Sequence, residues 1–371
     1  MPRFSAQTDY AKALRARGAA VLAASPTGRF ADREQWVRGG VAFAMFAGVY
    51  ALILSGVAGG WGFALAALGG ALAYVVIATL CHDASHYSLA RTRRANRFVV
   101  FAGFALAGIS GALWARRHIR THHMFPNVAG TDIDADSTSM VRLTPHHAWR
   151  PWHRYQAAYA PFLYMVVLGH LALYEDFLHL RAARREAPET FATWAATLEF
   201  AASKIIHLTL ALGVPLLVMD APVANIILGY VIASAAASAM FVIINVGTHI
   251  CDVAGFVDPR TDGTIAHDWA THQAMTAVDW SPESRLAIAL TGGANSHAAH
   301  HLFPEAAHCH NAKLSRVVSA CAREFGKPHH VLTFAGMMRS HFNQLQALSR
   351  PEVKAVRGDG QAATVISARA A

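Results

Sequence analysis

Histidines at the spacing of metal ligands are the residues of this sequence best suited to do chemistry. The chain of 371 residues contains 22 histidines, and histidine is the commonest metal ligand among side chains. Residues three or four apart lie on one face of a helix, so a short cluster with this spacing can present two or three imidazoles to one point. Three clusters and a fourth, mixed pair have this spacing: His82-Asp-Ala-Ser-His86, His118-Ile-Arg-Thr-His122-His123, His297-Ala-Ala-His300-His301, and Asn245 with His249.

The number of clustered imidazoles indicates more than one metal ion. A zinc site takes three or four protein ligands, whereas nine clustered histidines fit two metals with four or five ligands each. Imidazole binds iron, zinc, copper and nickel, so the ligand type does not select the metal. A zinc-dependent membrane hydrolase or receptor is an alternative. A metal transporter fits poorly, because it would need ligands inside membrane spans and these histidines lie at the ends of apolar segments.

Four apolar segments must position these clusters. The chain is 54% hydrophobic and only 15% charged, with a mean hydropathy of +0.28, which excludes a disordered chain and favours an integral membrane protein. The segments cover residues 41–58, 61–80, 201–219 and 221–244, and at about 1.5 Å per residue each is long enough to cross a bilayer. Two other segments are short or carry charges, and we expect interfacial helices there, at 98–113 and 157–178.

The basic residues indicate one topology for these segments. If the four segments span a membrane, 7 Lys and Arg fall in residues 1–40, 13 in 81–200 and 11 in 246–371, whereas the turns at 59–60 and 220 have none. Because positive residues mark cytoplasmic loops, we expect two membrane hairpins beneath a cytoplasmic helical cap that carries the histidines. The net charge of +9 then reflects loops that face anionic headgroups and an acidic redox partner, and nucleic-acid binding is not expected.

The same reasoning divides the chain into three parts. Residues 1–40 are expected to form a cytoplasmic segment that lacks the apolar core of a signal peptide, and residues 41–349 the membrane domain. Residues 350–371 are expected to be a disordered tail, with both termini cytoplasmic. The predicted fold class is all-α integral membrane, with four transmembrane helices. Six histidines without a partner cluster are expected at the surface, namely His146, His147, His308, His310, His329 and His330.

The histidine clusters resemble, in their order, those of the membrane fatty acid desaturase family. The patterns HDxxH, HxxxHH and HxxHH are distributed around the two predicted hairpins, and the likeness runs from about residue 40 to 335. One departure is His297, which stands where front-end members of the group usually have Gln, and this weakens an assignment to front-end regiochemistry. The flanking residues that resemble the acyl-lipid and linoleoyl-CoA type are Pro126-Asn127-Val128, Asp132-Ile-Asp134, Trp269, Gln273, Thr276 and Leu302-Phe303-Pro304.

The resemblance implies a centre of two iron ions with O2 as co-substrate. Asn245 would approach one iron through water, and the remaining ligands would be His82, His86, His118, His122, His123, His249, His297, His300 and His301. Three carboxylates near these histidines are candidates to orient imidazoles, namely Asp83, Asp252 and Asp279. His267 and His272 are candidate extra ligands, although contact with headgroups or a plain loop position is the preferred interpretation.

The activity that the resemblance implies is desaturation of a fatty acyl chain in a bacterial cytoplasmic membrane. Breaking an unactivated methylene C–H bond needs an oxidant made from O2 and two electrons, which no side chain supplies, and this favours iron over zinc. The sequence contains no His-Pro-Gly-Gly stretch typical of a fused cytochrome b5 domain, so we expect a separate donor, a ferredoxin or a cytochrome b5-like protein. The acyl group could be carried by a lipid, coenzyme A or an acyl carrier protein. A hydroxylase or acetylenase on the same scaffold is the alternative.

Overall fold

The computed structural model is mostly helical over the residues that it describes, 1–136, 138–353 and 362–363. The helices of the first half are α1 (Asp9–Ala23), α2 (Arg33–Leu54), α3 (Gly59–Ser85), α4 (Arg93–Ala105), α5 (Gly111–Arg117), α6 (Ile133–Asp136), α7 (Gln156–Tyr164), α8 (Val167–His170), α9 (Asp176–Glu186) and α10 (Pro188–Phe191). Those of the second half are α11 (Trp194–Leu208), α12 (Val214–Val218), α13 (Val223–Asn245), α14 (Trp269–Thr276), α15 (Arg285–Thr291), α16 (His297–Leu302), α17 (Asn311–Phe325) and α18 (Phe334–Leu348).

Strands are few and short in the described part of the chain. They are β1 (Arg3–Phe4), β2 (Phe256–Val257), β3 (Thr264–Ile265), β4 (Val278–Trp280), β5 (His330–Leu332) and β6 (Ala362–Ala363). β1 pairs with β3 and β4 with β5 in parallel, and β2 pairs with β6 in antiparallel. The predicted all-α class is therefore confirmed. The predicted disordered tail falls largely outside the described residues, since 354–361 and 364–371 are not among them.

Four helices are long and apolar enough to cross a membrane, as predicted, and they make this a multi-pass membrane protein. They cover Arg33–Leu54, Gly59–Ser85, Trp194–Val218 and Val223–Thr248. α2 starts eight residues before its apolar segment, because a capping side chain and not hydropathy fixes where a helix begins. Here the Asp32 carboxylate accepts a hydrogen bond from the Gln35 N–H at 2.8 Å. α3 packs against both α2 and α13.

The two predicted interfacial segments each consist of two helices. Residues 98–113 fall on α4 and α5, which are separated by a turn around Gly108. Residues 157–178 fall on a helix pair, Pro151–Tyr164 and Val167–Glu186, that bends by 72° at Met165 and Val166. This pair taken as one segment is also apolar enough to enter a membrane. The interfacial position, the two hairpins and the cytoplasmic side of the cap stay predictions.

The N-terminal helix buries the back of the third histidine cluster. α1 packs against α17 and α14, and its Tyr10 and Leu14 belong to the apolar core that contains Leu302 and Phe303, at the end of α16. The Thr8 backbone N–H and hydroxyl both donate to the Asp268 carboxylate at the start of α14. A six-residue helix such as α16 is too short to be stable alone, so these neighbours maintain it.

Candidate metal centre

The first two histidine clusters are brought together by the end of α3 and by an irregular helical turn. His82 lies on the last turn of α3 and His86 directly follows it, whereas the second cluster continues α5 as a π-helical turn, His118–His122. In this turn the His123 N–H donates to the His118 carbonyl at 2.9 Å, which is the five-residue spacing of a π-helix. His118 and His123 therefore share a face, and His122 points elsewhere.

All nine predicted histidines converge, in two sets whose ligand nitrogens lie within 4.8 Å of one another inside each set. The five-histidine set is His82, His86, His118, His123 and His300. The four-histidine set is His122, His249, His297 and His301. The prediction that each cluster offers two or three imidazoles to one point is confirmed, since His118 and His123 share one set and His297 and His301 share the other. The third imidazole of the second and third clusters joins the opposite set, because the π-helical turn and the helix α16 both divide their imidazoles.

The Nε2 atoms face one another at short distances within each set. In the five-histidine set the Nε2 of His118 lies 2.6 Å from that of His82 and 2.8 Å from that of His123. In the four-histidine set the Nε2 of His249 lies 2.8 Å from that of His297 and 3.0 Å from that of His301. The sets are adjacent, since the His123 and His301 rings stack at 4.3 Å between centroids.

The protonation of these rings shows that a cation fits between them. The Nδ1 of His249 lies 2.9 Å from the Thr276 carbonyl, and that of His301 lies 3.0 Å from the Gln273 Oε1. Both partners are acceptors, so both Nδ1 atoms carry the proton and both Nε2 atoms carry lone pairs. Lone pairs that face each other at 3.0 Å repel unless a cation lies between them. The buried Nε2 of His86 likewise has no hydrogen-bond partner among the described residues.

Burial keeps most of these imidazoles in the neutral form that binds metals. Burial and the neighbouring imidazoles lower the pKa of His118, His123 and His301 well below the usual range. Burial, and more weakly the neighbouring His308, lowers the pKa of His86 to about 3. His122 differs because burial is outweighed there by carboxylates, chiefly Asp132, which raise its pKa.

Three residues that were not predicted to do so orient imidazoles of the four-histidine set. Asp132 accepts from the His122 Nδ1 at 3.2 Å, and Gln273 and Thr276 hold His301 and His249 as described. The Gln273 amide is itself fixed, because its Nε2 donates to the His123 carbonyl at 3.0 Å. All three residues lie in the stretches whose resemblance to acyl-lipid desaturases extends beyond the histidine clusters, which is the signal that could have identified them.

Two of the three predicted orienting carboxylates hold backbone or helices. Asp252 accepts from the Ser340 hydroxyl and from the Asn343 amide, so it anchors α18. The Asp279 Oδ1 accepts from the N–H of Ala298 at 2.7 Å and thereby fixes the start of α16. In the described contacts neither carboxylate binds an imidazole of the clusters, and the imidazole that Asp279 binds is that of His329, at 3.1 Å, because proximity in sequence does not determine where a carboxylate points.

Asp83 binds His308, a histidine that is predicted to lie at the surface. The His308 Nδ1 lies 2.5 Å from the Asp83 Oδ1, and the His308 backbone N–H donates to the same carboxylate. His308 and His310 are 2% and 3% exposed, so the surface prediction is wrong for these two. The His308 ring stacks on His300 with centroids 4.7 Å apart and meets His82 at 5.0 Å. His308 is thus a direct neighbour of the five-histidine set.

The remaining predicted residues lie around the centre without belonging to either set. The Asn245 Nδ2 donates to the Phe241 carbonyl of its own helix at 2.8 Å, so its approach to a metal through water stays a prediction. The His272 Nε2 lies 3.0 Å from the Pro126 carbonyl, and burial lowers the pKa of this histidine to about 3. His272 therefore stabilises the loop after the second cluster. His267 also lies outside both sets.

Aromatic rings pack against one side of the five-histidine set. The Trp114 ring stacks on His118 with centroids 4.4 Å apart and meets His82 at 5.6 Å. Phe104 packs behind Trp114 at 4.6 Å. Both belong to the apolar core that also contains Tyr74 and Leu168, and these two residues line a cavity of about 1020 Å³ between the candidate spans.

Comparison with known proteins shows which family has a sequence similar to the part of the chain that carries these histidines. The family model described as "Fatty acid desaturase" matches residues 59–333, a range that includes both histidine sets. The chain is 28% identical to an sn-1 linoleoyl-lipid 6-desaturase of Arthrospira platensis over 285 residues, which covers 75% of each chain. It is 26% identical to the sn-1 linoleoyl-lipid 6-desaturase of Synechocystis, over 72% of this chain and 75% of the relative. It is also 27% identical to an acyl-lipid (8-3)-desaturase of Mortierella alpina, and there it spans 73% of this chain but 61% of the relative.

Proposed function

Because the chain belongs to the fatty acid desaturase family, we propose that it is an O2-dependent fatty acyl desaturase whose two histidine sets each hold one iron ion. The observation that carries the proposal is the pair of sets in which buried, lone-pair-bearing Nε2 atoms face one another, at 2.8 and 3.0 Å in the four-histidine set. Asn245 is proposed to complete the four-histidine set through a water molecule.

Iron is proposed because the reaction is a net oxidation. One O2, two electrons and two protons, together with one hydrogen from each of two neighbouring methylenes, give a carbon–carbon double bond and two waters. When bound, the two irons supply this redox chemistry, which no side chain can perform. Zinc has no accessible redox change, so it could not carry out this oxidation.

The residues of the chain contribute orientation and the exclusion of water. Asp132, Gln273 and Thr276 each accept a hydrogen bond from an Nδ1, which fixes the tautomer and aims the opposite nitrogen into the four-histidine set. His118, His123, His300 and His301 are all at most 6% exposed. Trp114 covers His118 and His82 on one side of the five-histidine set. A closed, dry site protects a reactive oxidant from side reactions.

The substrate is proposed to be an acyl chain attached to a membrane lipid. The relatives named above are named as desaturases of acyl chains in lipids. A lipid can reach a site at the end of the membrane helices without leaving the bilayer. The cavity between the spans supports a hydrocarbon ligand, because Phe46, Val49, Leu106 and Leu168 are among the residues that line it. Acyl-coenzyme A and an acyl carrier protein are the other carriers.

The site is proposed to face the cytoplasm of a bacterial cell. Under the positive-inside rule, the loops that carry the histidines lie on the basic side of the membrane. Electrons are proposed to arrive on that side from a separate ferredoxin or cytochrome b5-like protein.

Product analysis in a bacterial host tests the proposal. Total fatty acids are analysed by gas chromatography–mass spectrometry, with double bonds located, from cells that express the wild type, His301→Ala or His170→Ala. His170 is the control, since it lies outside both sets and its side chain is 53% exposed. We expect a new unsaturated acyl chain with the wild type and with His170→Ala, and none with His301→Ala.

Other products would redirect the proposal. A hydroxylated or an acetylenic acyl chain would assign the same centre to a hydroxylase or an acetylenase. Metal analysis of the purified protein checks the cofactor independently, with two irons per chain expected. One zinc per chain and no iron would contradict the oxidase proposal and favour a zinc enzyme or receptor.

A further inference from the structure

A patch of exposed arginines lies on the surface next to the five-histidine set. Its members, here called the arginine patch, are Arg29, Arg91, Arg93, Arg94 and Arg97, and all five are exposed. The two segments that carry them are joined by a hydrogen bond from the Ala31 N–H to the Leu89 carbonyl at 3.3 Å. The guanidinium groups of Arg29 and Arg91 both lie over the Phe30 ring, 5.1 and 5.2 Å from its centroid. The two segments therefore form one surface.

The arginines of the patch have no carboxylate partners within the described residues. Arg17, Arg38, Arg116, Arg117 and Arg316, in contrast, form ion pairs with glutamate or aspartate. Three of the patch arginines instead rest on aromatic rings, since Arg29 and Arg91 lie over Phe30 and Arg93 lies 5.7 Å from the centroid of Tyr87. A guanidinium over an aromatic ring keeps its charge and its donors available to a partner.

The first link from the patch to the metal centre is the polypeptide chain itself. Tyr87 directly follows His86, which belongs to the five-histidine set. Tyr87 has a φ of 56°, in the left-handed region that a bulky residue rarely adopts. Its side chain is 38% exposed, whereas the His86 side chain is directed into the set. The strained turn thus places Tyr87, on whose ring Arg93 rests, one residue from a proposed ligand.

The second link runs through the turn after the third histidine cluster. The Ala307 N–H donates to the Arg29 carbonyl at 2.8 Å, and the His310 Nε2–H donates to the Phe30 carbonyl at 2.9 Å. His308 lies between these two residues and stacks on His300. The patch is therefore connected to two proposed iron ligands. It reaches His86 along the chain through Tyr87, and it reaches His300 through these two hydrogen bonds and the ring contact of His308.

We propose that the arginine patch is the docking surface for a small, acidic, one-electron carrier protein. This proposal rests on the proposed function, because desaturation needs two electrons from outside the chain. Complementary charge accelerates the encounter of redox partners, and arginine and aromatic residues are enriched at protein interfaces. An unpaired basic surface beside the metal ligands offers an acidic carrier both attraction and a short electron route.

Electron transfer measured directly tests the docking surface. The full-length protein, loaded with iron in phosphatidylcholine nanodiscs, is mixed without O2 with a reduced plant-type [2Fe–2S] ferredoxin, and ferredoxin oxidation is followed by stopped-flow absorbance. The patch variant carries Arg29→Gln, Arg91→Gln and Arg94→Gln. The control variant carries Arg181→Gln, Arg185→Gln and Arg323→Gln, three exposed arginines elsewhere, so both variants lose the same charge.

We expect the patch variant to lose roughly tenfold in the bimolecular rate at low ionic strength, and the control variant to change less than about twofold. Raising the salt should slow the wild type much more than the patch variant. Reduction by photoreduced deazaflavin, a small reductant that needs no docking, should be equal in all three proteins, which shows that their iron sites are intact.

Several results would overturn the docking surface. Equal ferredoxin rates in the wild type and the patch variant would do so, as would an equal loss in the control variant. The cytochrome b5 haem domain is tested as a second carrier in the same assay. A wild type that accepts electrons from deazaflavin but from neither carrier protein would also overturn the docking surface. Unchanged electron transfer with weaker binding to phosphatidylglycerol vesicles would instead assign the patch to lipid headgroups. A patch-dependent rate in a protein that forms no unsaturated product would refute only the proposed function.

Discussion

At the scale of single residues, the metal centre depends on the hydrogen bond that each imidazole makes with its Nδ1, the ring nitrogen that faces away from the set. Asp132 accepts a hydrogen bond from the His122 Nδ1, and the Asn127 N–H donates to the same carboxylate at 2.8 Å. We expect Asp132→Asn to lower the iron affinity of the four-histidine set about 10- to 100-fold, because a neutral amide fixes the tautomer less firmly. Iron retained per chain after dialysis against a chelator measures this loss.

The control for this prediction is Asp252→Asn. It makes the same substitution at a carboxylate that lies three positions after His249 of the four-histidine set. Asp252 bonds Ser340 and Asn343 and no imidazole of the centre, so the iron content of Asp252→Asn should match the wild type. Equal retention of iron by Asp132→Asn and the wild type would mean that the Asp132 carboxylate does not hold His122. Loss of iron from Asp252→Asn to the same extent would also contradict the assigned role of Asp132.

The ligands could be predicted from the sequence better than their supports could. Nine histidines at helical spacing are rare enough to indicate a shared site whatever the backbone does. No local pattern distinguishes Asp252 and Asp279, and only the packed structure shows that they bind α18 and α16. His308 is misassigned for the opposite reason, because its partner Asp83 lies 225 positions away, and no local pattern reports such a contact.

At the scale of elements, the third cluster depends on a tight turn that places α16. Gly293 lies in this turn with a φ of 99°, and a Cβ there would lie 2.8 Å from the His308 carbonyl oxygen. We expect Gly293→Ala to destabilise the fold by about 1–3 kcal/mol, through the strained φ and the clash together. The thermal unfolding midpoint of the protein in detergent should fall clearly.

Gly263→Ala separates the two causes of that loss. Gly263 also has a left-handed φ, 79°, but a Cβ there meets nothing within 4 Å. This variant should therefore lose less stability and keep its iron, whereas Gly293→Ala should also release iron because His308 and His300 shift. If both variants have the same midpoint, the close approach of Gly293 to His308 contributes nothing.

The elements show why spans are easier to predict than turns. Hydropathy identifies all four membrane helices, since a bilayer requires about 20 apolar residues in a row. The π-helical turn at His118–His122 has no such signature. An α-helix would place His118 and His122 on one face, and the single extra residue per turn sends them to different sets. The spacing of the histidines does not reveal that irregularity.

At the scale of the whole molecule, the membrane helices and the metal centre are joined by one apolar core. This core contains Trp114, against His118, and also Tyr74 and Leu168, which line the cavity of about 1020 Å³ between the spans. The volume is ample for the hydrocarbon of a fatty acyl chain. We expect a substrate that reacts at the histidine sets to extend its far end towards the cavity, and the cavity length would then limit the chain.

Filling this cavity should change which acyl chains react. Gly169 lines it, and a Cβ there would meet nothing within 4 Å. We expect Gly169→Phe to reduce products from long acyl chains severalfold more than products from short ones, as measured by mass spectrometry of the unsaturated fatty acids. Gly48→Phe is the matched control, because Gly48 is equally unobstructed but exposed on α2 outside the cavity lining. A product profile that is the same for both variants and the wild type would separate the cavity from the substrate path, and the cavity would then be a feature of helix packing alone.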